Sequence, residues 1–165
     1  MKPAPRATAS EPGRVPLELH LSYAARSPWA PRRAQFMRWA AAALPAQGKR
    51  PGSVLSIRVV GTARSRSLNL RFRHKDRPTN VLSFDGAGAS PDGRTYLGEL
   101  VLCAPLVARE ARAQRKLLKS HWAHLTVHGV LHLLGFDHER RGEARLMEAR
   151  EVQILDRLGI SDPYV

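Results

Sequence analysis

The sequence predicts a single α+β domain in which a mixed four-stranded sheet packs against about five helices. Three observations lead there. Strand-like runs, alternating or rich in β-branched residues, fall in the first 103 residues with helical stretches between them. From residue 104 onward the pattern is helical. At 165 residues, with no internal repeat, the chain fits one domain that buries its own core.

Each element has a local justification. VPLELHLSYA (15–24) begins by alternating apolar and polar residues, as a half-buried strand does. SPWAPRRAQFMRWAAAALP reads as a helix entered through Pro31 and stopped before Pro45, with Phe36, Met37, Trp39 and Ala40 on its inner face. SVLSIRVVG (53–61) is a β-branched strand closed by Gly61. TARSRSLNLRFR (62–73) is a helix carrying Leu68 and Phe72 four residues apart. After Pro78, TNVLSFD is a third strand and YLGELVLC (96–103) a fourth. GAGASPDGRT between them is longer than a tight hairpin and is expected to form a mobile flap. Helices follow over 104–117, 119–134 and about 140–158, the last ended by Gly159. Residues 1–14, rich in Pro and Ala, are expected to be a disordered extension ahead of a domain spanning 15–165.

Lys and Arg total 27 against 14 Asp and Glu, a net charge of +13, so the surface should attract polyanions, nucleic acid first among them. An Arg- and Ala-rich genome would leave the same mark, and charge alone does not choose. The lone Cys103 excludes an intramolecular disulfide and a multi-cysteine zinc cage; it reads as a buried, inert thiol and points to a reducing compartment. No apolar run approaches the roughly 20 residues of a membrane span, and no signal-peptide core is present at the N-terminus, so a cytoplasmic location without membrane partners is expected.

The chemistry concentrates in HGVLHLLGFDH (128–138). On a helix, residues four apart project side by side, so His128 and His132 can reach one zinc ion. Gly135 offers a left-handed exit, after which the chain can turn back and present His138. Three ligands leave a fourth position open, the mark of a catalytic rather than a structural site. His124 continues the same helical face, and with His121 it reads better as a packing or ligand-orienting residue. Asp137 could orient a histidine or be purely structural. Zinc peptidases carry a glutamate general base after the first histidine, where this chain has Gly129, which argues against amide hydrolysis.

A phosphate-bearing substrate calls for cations beside the metal. Arg71, Arg73, Lys75 and Arg77 cluster before the third strand, where a guanidinium could clamp phosphate oxygens; a solvated basic turn is the plain alternative. Arg109, Arg112, Arg115 and Lys119 form a possible stripe on the helix after Cys103, with Leu106, Ala111, Leu117 and Leu118 available for the core. Aromatics are only 6% of the chain, and no stacking platform can be located from the sequence.

FRHKDRPTNVLSFD, LGELVLC, HWAHLTVHGVLHLLGFDH and the terminal DPYV, in that order, resemble the YbeY family of bacterial endoribonucleases and ribosomal-RNA processing factors. The resemblance runs from about residue 53 to the end and leaves residues 1–14 unmatched. It implies a zincin-like metallohydrolase fold, one Zn²⁺ held by His128, His132 and His138, and cleavage of single-stranded RNA. It further implies a part in 16S rRNA 3′-end maturation and ribosome quality control, with the small subunit as partner. By motif match Arg73 falls on the family's functionally important arginine, and Gly129 on its glycine. The rival readings are a metallopeptidase-like hydrolase and a non-catalytic, zinc-containing ribosome assembly factor.

Overall fold

The structure, a computed structural model, describes residues 16–45, 52–136 and 139–165. The expected extension at 1–14 lies outside them. Nine elements follow in the order β1 (Leu17–Tyr23), α1 (Arg33–Ala43), β2 (Ser53–Val60), α2 (Thr62–Arg73), β3 (Val81–Ala89), β4 (Thr95–Cys103), α3 (Ala104–Ala113), α4 (Leu118–Leu133) and α5 (Arg141–Arg157). The sheet order is β1-β2-β4-β3, with β1, β2 and β4 parallel and β3 antiparallel at one edge. The α+β class, the mixed four-stranded sheet and the five helices are those read from the sequence.

Alternation along the central strands sorts side chains to two faces. Leu55, Ile57, Val59, Leu100 and Leu102 face the main core, which Phe36 and Trp39 of α1, Trp122 and Val130 of α4, and Ile154 and Leu155 of α5 complete. Phe36 meets Trp39 and Trp122 edge-on, with ring centroids 6.0 and 5.9 Å apart. On the other face Val60, Val101 and Leu82 pack with Leu68 of α2. Met37, expected on the inner face of α1, is only half-buried, and Ala43 joins the buried set instead. Cys103 is a free, buried thiol.

GAGASPDGRT is not a free flap but the end of a hairpin. β3 continues to Ala89, which lies opposite Thr95, and the Ser90 N–H donates to the Arg94 carbonyl at 2.7 Å. A register shift between Asp85 and Gly88 absorbs the extra residues. Glycine makes the shift possible: a Cβ on Gly98, whose φ is +136°, would lie 2.1 Å from the Phe84 carbonyl oxygen.

The stripe expected on a single helix is also broken. α3 ends at Ala113, Arg115 adopts a left-handed φ of 54°, and Lys119 belongs to α4. The reversal leaves Leu117 in solvent at 78% exposure rather than in the core. Gly135 and Gly159 take the left-handed exits expected of them, with φ of 95° and 72°.

Candidate active site

α4 presents its histidines along one side. Successive ring centroids of His121, His124, His128 and His132 lie 6.3, 6.2 and 4.7 Å apart, so the i, i+4 pair His128 and His132 is the closest. Both line an open cleft of about 1030 Å³ together with Arg73, Lys75, Asn80 and Ser83. Asp137 and His138 lie outside the described residues.

Arg73 reaches this cleft from the opposite face of the sheet. It ends α2, and its Nη2 donates to the Ser83 carbonyl on edge strand β3 at 3.0 Å, so the side chain wraps the sheet edge. Its base is held by polar groups that look like unlikely core residues in the sequence. Buried Ser65 both donates to the Thr79 carbonyl (2.8 Å) and accepts from the Thr79 N–H (2.9 Å), and buried Asn69 donates to the Arg77 carbonyl (2.8 Å). These bonds pin the 74–80 loop against α2. Of the four basic residues singled out before β3, Arg73 and Lys75 line the cleft; Arg71 and Arg77 are exposed outside it.

Behind the histidines stand two carboxylates. Glu151 of α5 is fully buried and takes His128 Nδ1 with Oε1 and His124 Nε2 with Oε2 at 3.1 Å, while the Tyr164 hydroxyl donates to Oε2. Burial pushes the Glu151 carboxyl up, but the bonds from His124 and His128 and the charge of His128 outweigh it and bring it down to about 2. Ionised Glu151 makes Nδ1–H the donor on His128, so the nitrogen that His128 would offer a cation is Nε2. Glu110 of α3 repeats the device one turn earlier, accepting from His121 at 2.8 Å and from Asn80 Nδ2 at 3.0 Å. Burial raises the Glu110 carboxyl, and these two bonds lower it further than burial raises it.

His124, His128 and Glu151 form a cluster that could hold a metal, their ligand atoms all lying within 4.8 Å of one another. In the contacts described, carboxylate and imidazoles meet directly in hydrogen bonds, the arrangement that fixes a ring's tautomer and direction. Imidazoles four apart on a helix, one of them braced by a carboxylate, are a donor set that a zinc-class cation takes in its deprotonated form.

Glu151, Glu110 and Tyr164 were not singled out as site residues from the sequence. Glu151 left a signal there: Met147, Glu151, Ile154 and Leu155 share the buried side of α5, so an acid interrupts an apolar stripe. The position of Gly129 is settled by packing. A Cβ there would meet Leu100 Cδ2 of β4 at 2.7 Å, so this side of α4 lies on the sheet rather than toward the cleft.

A family model described as Endoribonuclease YbeY matches residues 28–159. A protein of Nitrosococcus oceani named Endoribonuclease YbeY is 48% identical over 150 residues, 90% of this chain and 97% of its own. One of Stenotrophomonas maltophilia with the same name is 51% identical over 156 residues, 92% of this chain and 96% of its own. The Bordetella pertussis relative is 55% identical over 114 residues, 69% of this chain and 71% of its own. The match spans both walls of the cleft, α2 with β3 and the helix of histidines, and on it this chain belongs to the Endoribonuclease YbeY family.

Proposed function

We propose that this protein is a zinc-dependent endoribonuclease specific for single strands, in which His128, His132 and His138 hold the ion and Arg73 contacts the scissile phosphate. The observation that carries this reading is the shared cleft: an arginine from one face of the sheet and a histidine pair from the other line the same cavity. Family membership supports the reaction class, and the charge of +13 suits a polyanionic substrate.

The chain's own groups divide the work. The ion, when bound, supplies Lewis-acid chemistry toward a phosphoryl oxygen or a water. Glu151 keeps the Nδ1 proton of His128 and holds the ring in one orientation, so that its other nitrogen stays a lone-pair donor. Arg73 is steadied by the Ser83 carbonyl, and its remaining N–H groups are suited to phosphate oxygens, where they oppose charge that develops on cleavage. Lys75 adds a second positive charge to the same wall. No carboxylate follows His128 on the helix, since Gly129 is packed against Leu100, and the peptidase reading loses the general base that its motif would supply there.

The biological assignment proposed with it is 16S rRNA 3′-end processing and ribosome quality control on the small subunit, in the cytoplasm. Among the described residues no helix is long and apolar enough to cross a membrane. The test is cleavage of a single-stranded ribosomal RNA fragment by wild type and by His132→Ala, each with and without chelator. Wild type should cut, and chelator or the substitution should abolish both metal and cutting. A contaminating nuclease would persist in all four arms, and full cleavage by metal-free His132→Ala would overturn the scheme.

A further inference from the structure

α2 ends with large apolar side chains in solvent. Leu70 and Phe72 are 47% and 46% exposed at the rim of a strongly basic segment. The Phe72 ring lies against Phe84, with centroids 5.1 Å apart and planes at 69°. Phe84 is on edge strand β3 between Ser83 and Asp85, two residues that line the cleft. Its own side chain packs with Leu82 on the α2 face of the sheet. Arg73 joins the two places: it bonds the Ser83 carbonyl at 3.0 Å, and its guanidinium carbon lies 5.9 Å from the Phe84 ring centroid. Arg71 approaches the Phe72 ring at 5.1 Å.

We propose that Phe72, backed by Phe84, is a stacking platform for an unpaired base of the RNA strand whose phosphate Arg73 holds. The proposal rests on the endoribonuclease reading and extends it to how the strand is seated. The strand passes from the histidine side over the sheet edge at Arg73, and the base next to the held phosphate lies on the exposed Phe72 ring. Every base has a π face, so such a platform is tolerant of sequence. It is closed to bases already stacked and paired in a duplex, which gives selectivity for single strands without reading base edges.

Charge complementarity favours RNA over a protein as the occupant. The apolar area is two side chains rather than a broad patch, and its neighbours Arg71, Arg73, Lys75 and Arg77 are all exposed cations.

The experiment measures the dissociation constant of a short single-stranded oligoribonucleotide, and of its duplex, for wild type, Phe72→Ala and Phe72→Trp, with melting temperature as a folding control. Phe72→Ala should weaken single-strand binding about tenfold and leave duplex binding unchanged, and Phe72→Trp should restore the single-strand affinity. A fluorescent adenine analogue in the strand should be quenched by wild type and much less by Phe72→Ala. Equal single-strand affinity of wild type and a folded Phe72→Ala overturns the platform and leaves the patch as a protein contact. If wild type cuts RNA in that case, the platform alone has failed; if wild type neither binds nor cuts, the endoribonuclease reading has failed and the platform with it.

Discussion

Glu151 places an ionised carboxylate where none of its surface reaches solvent, and it stays there because His128 bonds one of its oxygens and His124 and Tyr164 the other. A carboxylate that aims a ligand is worth about 10- to 100-fold in metal affinity in comparable sites. Glu151→Gln should therefore weaken zinc binding by about that factor, read by chelator competition on folded protein. Unchanged affinity would show that His128 is aimed by something else. Arg73 is a separate case, since among the described residues its guanidinium bonds the Ser83 carbonyl and lies beside the Phe84 ring. Arg73→Ala should keep its metal and cut RNA about 100-fold more slowly, as loss of one transition-state donor does; equal metal content with an equal rate would remove the arginine from the chemistry.

Elements explain what single residues leave open. The Gly129 side of α4 rests on Leu100 of β4, and a side chain there has to displace a central strand residue that is fully buried. Gly129→Glu should lower stability by roughly 1–3 kcal/mol or more, the cost of overpacking with a buried acid added, and should yield no peptidase; a melting curve and a casein assay check the two halves. Helix and strand identities were legible because period and punctuation agree locally, as at Pro31, Gly61 and Gly135. Two readings failed where a local rule met tertiary geometry. The hairpin of β3 and β4 was hidden because Gly86, Gly88 and Gly98 serve a register shift, while Gly93 serves the turn that closes it, and the helix expected to run to 117 stops at Ala113 because Arg115 turns left-handed. The i, i+4 histidines were legible in the sequence, since spacing on one helix determines their separation. Their carboxylate partners were not, since Glu110 and Glu151 arrive from α3 and α5 by packing, and the acid in the apolar stripe of α5 marks Glu151 as buried without saying what it meets.

Over the whole molecule two electrostatic consequences follow, one for stability and one for binding. Glu110 and Glu151 both have carboxyls held below their ordinary value of 4.5, Glu151 at about 2. A depressed acid contributes stability that is complete above its unfolded value and is lost as the pH falls through its folded one. The melting temperature of metal-free protein should thus hold steady down to about pH 5 and fall between there and pH 2, and Glu110→Gln should flatten part of that fall. For binding, an excess of 27 cations over 14 anions makes counterion release a leading contribution to RNA affinity. The logarithm of the binding constant should fall linearly with the logarithm of salt concentration, with a slope of about −0.7 for each phosphate neutralised on a single strand. Lys75, on the cleft wall, and Arg77, exposed beside it, should each reduce that slope by about 0.7 when replaced by Ala if they meet phosphates. Arg26, whose guanidinium lies 3.9 Å from the Tyr23 ring on the strand at the opposite edge of the sheet, should leave it unchanged. A slope insensitive to Lys75 and Arg77 alike would move the RNA path away from the Arg73 edge, because a strand that crosses there cannot avoid their field.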